Sequence, residues 1–374
     1  MAFGKDKLAS WFVQNFVVSR SQVFDSPGFI LFKISGKANA YSRQIVFPES
    51  FFNDLENQVD KRLGEEGNKL IYSFGKKFGY RFASVANAPK LDNLATLESK
   101  NYVYLLTRFV EGTYSSGIKH VLFPEEKKIT FELDNFVICS KSGKGYFLSA
   151  GGIAGIWSKI TGLVDVEAIH DKCQGRGDLF CEVIAAPKTV LDKQFSNVFE
   201  EKNLDNLGLD KNYFSINSPM PITNTNKSFK FFLDSNVFSY SKGIIKMGSK
   251  RFFIIEASVI YLLELVFSVD PKAIEIIKEL AFKLGNELSE KADLQYLTDL
   301  FSALGLGDLA LIKKADSMLV NIDYFPWTRF SEGSKHIFIE SLLSGMLSNV
   351  LKKRVNLKLK SSGFFGKGYS VSFF

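Results

Sequence analysis

The sequence predicts an α+β protein built from two tandem copies of one unit, and three internal matches carry that prediction. The segment EEGNKLIYSFGKKFGYRF (residues 65–82) lies without a gap on PKAIEIIKELAFKLGNEL (271–288), pairing Leu70 with Ile276, Phe74 with Leu280, Phe78 with Leu284, Gly79 with Gly285 and Phe82 with Leu288. Upstream, RQIVFPESFF from Arg43 resembles RFFIIEASVI from Arg251, and downstream FELDNFVICS (131–140) resembles VNIDYFPWT (320–328). Near the ends of the copies, GIWSKITG from Gly155 matches GMLSNVLK from Gly345. There too, VDVEAIHDKCQGRGDLFC from Val164 matches VNLKLKSSGFFGKGYSVS from Val355. Order preserved along the whole length is the signature of a repeated structural unit.

Each element of the unit has its own reason. One or two apolar strands come first. Phe52, Leu55, Val59 and Leu63, after Pro48, are spaced for a helix, and residues 65–82 continue as a second helix whose apolar side chains recur every four positions. A third helix is expected near residues 102–109. Apolar and polar residues alternate through KKITFELDNFVICS (127–140), as in a strand with one wet face. GKGYFLSAGGIAG (143–155) reads as a turn leading into a short helix with close backbone packing. The G-x-G of Gly175 and Gly177, which falls on Gly366 and Gly368 in the second copy, reads as the tight turn of a closing hairpin. Helices grouped ahead of antiparallel strands predict a sheet with helices on one face, and two such units predict an internal pseudo-dimer. The expected boundaries are 1–190 for the first domain, 191–228 for a connecting segment and linker containing Pro219 and Pro221, and 229–374 for the second domain.

The totals narrow the function. A net charge of +7 permits an anionic partner, yet in RVNLKLKSS (354–362) the basic residues alternate with Val355, Leu357 and Leu359, the pattern of a solvated strand face and not of a specific nucleic-acid site. The longest apolar stretch, FFIIEASVIYLLELVF (252–267), is too short to span a membrane and carries Glu256 and Glu264, which suggests a buried amphipathic helix. Three cysteines, an odd count, and the absence of a leader pattern at Met1 point to a cytoplasmic protein with free thiols. Phenylalanine, with 37 residues against 3 tryptophans, predicts bulky apolar cores with room for cavities. His120 and His336 stand without a partner spaced for a catalytic dyad and read as surface histidines.

The run LSAGGIAGIWSKITGLVDVEAIHDKCQGRGDLFCEVIAAP (148–187) resembles the carboxyl-terminal signature of the 4-vinyl reductase (4VR) domain family, with a glycine-containing helix, a strand and two cysteines separated by seven residues. FGKKFGYRF, YSSGI and GLGDLAL are similar to that family as well; the resemblance spans residues 33–187 and, in degenerate form, 229–374. It implies a small-molecule-binding α+β fold related to subunits of the vesicle-tethering TRAPP complex, commonly dimeric through its helices. Members fused to transcription activators sense aromatic effectors and hold zinc with an acidic residue, two cysteines at this spacing and a third cysteine upstream. Carried over by position, Cys173 and Cys181 match the thiolates, His170 stands where the acidic ligand is expected, and the upstream cysteine position falls near Tyr146.

Zinc takes four ligands from thiolate, imidazole and carboxylate. His170, Cys173 and Cys181 supply three, and Cys139 at the end of its predicted strand is a candidate for the fourth; with all four, the site is closed and its role structural. The alternative, buried cysteines that only pack, stays open at this stage. In the second copy the matching positions are Ser361, Phe364 and Ser372, so any metal belongs to the first copy alone. Phe109, Tyr146, Phe147 and Trp157 are candidates to line an apolar ligand pocket, with core filling as the alternative for each.

The reading is therefore a cytoplasmic sensor or binding protein for an apolar or aromatic small molecule, without catalytic residues and more in the manner of a non-enzyme. It allows a separate protein partner and further oligomerisation. A protein scaffold or tether of TRAPP type is the alternative. An accessory protein or reductase of tetrapyrrole metabolism rests on the family name alone.

Overall fold

The computed structural model describes residues 23–33, 41–139, 146–204, 226–241, 244–290, 292–313, 318–326, 336–364 and 369–373. The first copy forms strands β1 (Val23–Ser26), β2 (Phe29–Lys33) and β3 (Tyr41–Pro48), then helices α1 (Glu49–Val85) and α2 (Leu97–Thr113). The hairpin β4 (Gly117–Phe123) and β5 (Lys128–Asp134) follows, then helix α3 (Tyr146–Thr161), strands β6 (Val166–Lys172) and β7 (Cys181–Pro187), and the single turn α4 (Lys188–Leu191). After α5 (Phe229–Asp234), the second copy runs β8 (Ser239–Ser241), β9 (Ile244–Met247), β10 (Lys250–Glu256), α6 (Ser258–Phe267), α7 (Pro271–Leu288) and α8 (Leu294–Ala303). It closes with β11 (Asp308–Lys313), β12 (Met318–Asp323), α9 (Ile337–Leu351), β13 (Leu359–Phe364) and β14 (Tyr369–Phe373). The protein is thus α+β with antiparallel sheets, and from β1 to β7 and from β8 to β14 the two series repeat element for element once α1 is taken as two segments.

That division is physical. Gly64 sits inside α1 at φ 60 and ψ −139, a conformation open to glycine and not to other residues, so the helix is broken into two segments there. In the second copy the equivalent break uses different chemistry. The Asp270 side chain accepts from the Lys272 N–H at 2.8 Å and Pro271 occupies the first helical position, where a missing N–H costs nothing.

Each unit spreads its strands over two sheets, not the single sheet suggested by the sequence. The first three strands of both copies join in one six-stranded sheet of order β1-β2-β3-β10-β9-β8, with β3 and β10 antiparallel at its centre and Phe47 opposite Phe253, Ile45 opposite Ile255. Pairing β3 with β10 removes the edge that each copy would otherwise expose. The remaining strands form two four-stranded sheets of the same order, β4-β5-β7-β6 and β11-β12-β14-β13.

Between the sheets, α1 crosses α3 and α7 crosses α9 at backbone contact, which only glycine permits. A Cβ on Gly79 would overlap the carbonyl of Gly152, and one on Gly155 that of Lys76; on Gly285 it would overlap the carbonyl of Leu342, and on Gly345 that of Phe282. The starts of the crossing helices are held alike. Buried Glu56 accepts from the Leu148 N–H at 2.6 Å and buried Glu264 from the Phe338 N–H at 2.7 Å, each a carboxylate at the positive end of a helix.

Several sequence expectations are corrected. Residues 252–256 are a strand and only 258–267 a helix, because a strand buried on both faces reads as a continuous apolar run. No helix among the described residues is long and apolar enough to cross a membrane. The alternating stretch at 354–362 is a strand only from Leu359. Of the G-x-G pair only Gly177 takes a left-handed conformation, at φ 101, closing a 3₁₀ turn over Gln174–Arg176; Gly366 and Gly368 lie outside the described residues. His336 is not a surface histidine but fully buried ahead of α9, its ring 4.9 Å from that of Phe325. His120 is half-buried, its Nδ1 3.3 Å from the Thr107 hydroxyl.

Candidate metal centre and apolar pocket

Strand β5 ends at Asp134, and the chain then turns through Asn135 (φ 49) and Ile138 (φ 80) to place Cys139 beneath the sheet. A β-branched residue in the left-handed region is strained, so the surroundings must hold it. They do so through the Ile138 N–H, which donates to the Glu49 carboxylate at 3.1 Å, and the Val137 N–H, which donates to the Tyr114 carbonyl at 2.7 Å. Across the sheet, β6 delivers His170 and, just past its end, Cys173, and β7 begins with Cys181. The loop between them is laced: Asp178 accepts from the Cys173 N–H at 2.7 Å, and the Gln174 side chain donates to Asp134 at 2.8 Å while accepting from the Asn135 N–H at 2.7 Å.

The result is a buried cluster of Cys139, His170, Cys173 and Cys181 whose ligand atoms all lie within 4.8 Å of one another, a group able to hold a metal ion. Cys139 Sγ and Cys181 Sγ are 3.2 Å apart. The upstream cysteine of the set is therefore Cys139, not the position near Tyr146. The His170 ring is already oriented: Nδ1 lies 2.9 Å from the Ser149 hydroxyl, and Nε2 is buried without a hydrogen-bond partner. A buried ring nitrogen with no partner beside three thiols is the arrangement expected of a ligand atom, with Ser149 holding the ring from the far side.

The electrostatics of the thiols follow from their contact. Hydrogen bonds from Cys139 and then Cys181 hold the Cys173 thiol far below the ordinary thiol range, and the bond to Cys173 pushes Cys139 far above it. For Cys181 the Cys139 bond lowers the value, but the bond to Cys173 and burial outweigh it and leave the group pushed up to about 11. Three thiols and an imidazole in mutual contact in a buried site form a donor set able to hold a cation.

Beside the cluster lies an apolar pocket of about 130 Å³. Its walls are the aromatic stripe of α1 (Phe78 and Phe82), Phe109 of α2, Phe131 and Phe136 of the β5 edge, and Trp157 of α3. Residues of the second copy, Phe253, Ile255 and Val259, complete the lining. Among the described lining residues there is no carboxylate, imidazole or thiol. The polar side-chain atoms are those of Ser149, Tyr114 and Trp157, whose indole N–H donates to the Lys127 carbonyl at 2.8 Å. Burial, and then the nearby Glu256 charge, push the Tyr114 phenol well above its usual range, so it stays neutral. Glu256 is itself fully buried behind Ile255; burial raises its carboxyl, partly offset by Arg81 and by the Ser258 hydroxyl that donates to it.

Of the pocket candidates from the sequence, Phe109 and Trp157 are in this lining. Phe147 is not; its ring packs 5.2 Å from that of Phe199. Tyr146 begins α3, and its side chain lies outside the described residues. Sequence reasoning missed Phe78, Phe82, Phe131 and Phe136, and missed the second copy's contribution. One signal was present: the stripe is aromatic at Phe74, Phe78 and Phe82 where the second copy has Leu280, Leu284 and Leu288.

No known family model matches the chain, and no curated protein is similar to it.

Proposed function

We propose that the protein is a non-enzymatic binding protein of the 4-vinyl-reductase type, two tandem units arranged as an internal pseudo-dimer, of which the first holds a small aromatic ligand beside a structural zinc ion. The pocket carries this reading. Its volume of about 130 Å³ approaches the roughly 150 Å³ of an apolar cavity that stays dry and admits benzene, which sets the ligand at about one aromatic ring. Walls of phenylalanine, leucine and isoleucine favour such a ring over a sugar, nucleotide or acid, whose polar groups would be buried without partners.

Three thiol groups and one imidazole suit zinc better than magnesium or calcium, which take oxygen ligands. Zinc on Cys139, His170, Cys173 and Cys181 neutralises the buried thiolates and has no position left for water, so its part is to hold the turn at Cys139 to the β6–β7 loop. The repeated order of elements, the shared central sheet and the paired helix crossings support the pseudo-dimer.

Native mass spectrometry before and after denaturation, with elemental analysis, tests the reading. A single small adduct released on unfolding, with one zinc per chain, is the expected result. A chain that neither carries an adduct nor takes up benzene or toluene when offered would overturn ligand binding and leave a scaffold.

A further inference from the structure

The pocket and the metal cluster share one wall. Phe136, Val137 and Ile138 line the pocket, and the next residue, Cys139, is in the cluster. Ser149 lines the pocket on α3, and its hydroxyl is the hydrogen-bond partner of His170 Nδ1. The Phe136 ring lies 6.5 Å from that of His170, and the Phe136 carbonyl accepts from Cys139 Sγ at 3.7 Å. The segment joining the two sites is also the strained one, with Ile138 at φ 80.

Resting on the binding reading above, we propose that metal and ligand bind with positive linkage, each holding the 136–139 turn and the Ser149–His170 pair in the arrangement the other requires. Without the metal, Cys139 meets Cys181 only through a thiol contact, and the strained turn is held by the hydrogen bonds of the Asn135, Val137 and Ile138 N–H groups, so Phe136 and Ile138 are fixed less firmly in the wall. With the pocket filled, those side chains are packed on both sides and Cys139 is held over the β6–β7 loop. A ligand that favours the arranged state of a turn must favour the metal that favours the same state, by the same factor in both directions.

The reciprocal direction provides the test, because it needs only the metal-loaded full chain. Fluorobenzene is the probe, its binding followed by the ¹⁹F resonance, and transfer of zinc to a chromogenic chelator is timed with and without saturating fluorobenzene. Zinc transfer slowed about tenfold, within the usual range of coupling factors, is the expected result. Binding of fluorobenzene with an unchanged transfer rate overturns the linkage and leaves the pocket reading standing. Failure of fluorobenzene to bind, or absence of zinc from the purified chain, removes the linkage together with the reading beneath it. In the variant Ser149→Ala, with zinc content and fluorobenzene affinity measured for the variant itself, most of the slowing is expected to be lost even when its pocket is saturated. Full slowing in that variant removes Ser149 from the path and overturns its role as a positioning residue.

Discussion

Arg43 donates to the backbone carbonyl of Tyr324 at 2.7 Å, while its counterpart in the second copy, Arg251, donates to that of Asn135 at 3.1 Å. Each arginine leaves its own half of the central sheet to hold the loop after the second hairpin strand of the other half. The two acceptors are in the same unusual backbone conformation, φ 56 and 49. Arg43 also donates to the carbonyls of Gly28 at 2.5 Å and Gly305 at 3.3 Å.

Replacing Arg43 with methionine keeps most of the stem and leaves those three carbonyls buried without this donor. Given roughly 1.5–3 kcal/mol for a hydrogen bond to a charged group, we expect a loss of about 3 kcal/mol in urea unfolding. A loss below about 1 kcal/mol would mean that water takes over the carbonyls and that the clamp is not structural.

What the sequence revealed depended on periodicity. The stripes on α1 and α7 were legible because they repeat at helical spacing, and the doubled topology because those stripes recur in order. Pairing of β3 with β10 left no such mark: a strand buried on both faces looks like any apolar run, so residues 252–256 passed for helix. The thiol set was legible as chemistry, with Cys139 its remaining member. Its position under Ile138 was not, since a left-handed isoleucine is imposed by tertiary contacts and by no local preference. The pocket wall from Phe253, Ile255 and Val259 depends on how two distant segments meet, which spacing along one chain does not encode.

The glycine crossings allow a sharp comparison away from both sites. Gly285→Ala would drive a methyl group into the Leu342 carbonyl, where the obstacle is helix backbone and not a side chain that can swing away. Overpacking of this kind should cost about 3 kcal/mol, against a gain of up to about 1 kcal/mol in helix propensity. Thermal melts of the full chain check it, and an unchanged or higher midpoint would show that α7 and α9 are not held at backbone contact.

Removal of one ligand from the cluster separates metal holding from packing. Cys181→Ser and Cys139→Ser are expected to bring zinc content close to zero and to lower the melting midpoint, on the order of 5 °C. His170→Asp should keep the metal, because a carboxylate is also a zinc donor. Buried cysteines that only pack would tolerate serine in either position without any change in metal content.

His336 makes the fold acid-sensitive. Burial pushes its imidazole from 6.5 down to about 4, so between those values the unfolded chain binds a proton that the folded chain refuses. Stability is complete above pH 6.5, falls as the pH drops through this window and levels off below about 4, a loss of roughly 3 kcal/mol from this one group. His120, lowered by burial and then by Arg108, acts in the same direction. In His336→Gln the difference in unfolding free energy between pH 7 and pH 4.5 should therefore shrink by about 2 kcal/mol while the His120 part remains. An unchanged difference would show that the buried ring is protonated in the native state.

Gly152 separates a ligand pocket from a packing defect. Unlike its neighbours, a Cβ built on this glycine meets nothing nearer than the Gly75 carbonyl at 4.0 Å, and the residue lines the pocket. A leucine there has room to extend into the space of about 130 Å³. It also replaces a mid-helix glycine, a change worth up to about 1 kcal/mol, and fills a void, which commonly adds about 0.5–2 kcal/mol. Gly152→Leu is accordingly expected to raise the melting midpoint, keep its zinc and lose fluorobenzene binding. A stabilised protein that has lost a small aromatic adduct means that the void was kept open for a ligand at a cost in stability. If the natural chain carries no adduct and the variant differs from it in stability alone, the pocket is an unfilled space in the core and the helical faces become the place to look for function.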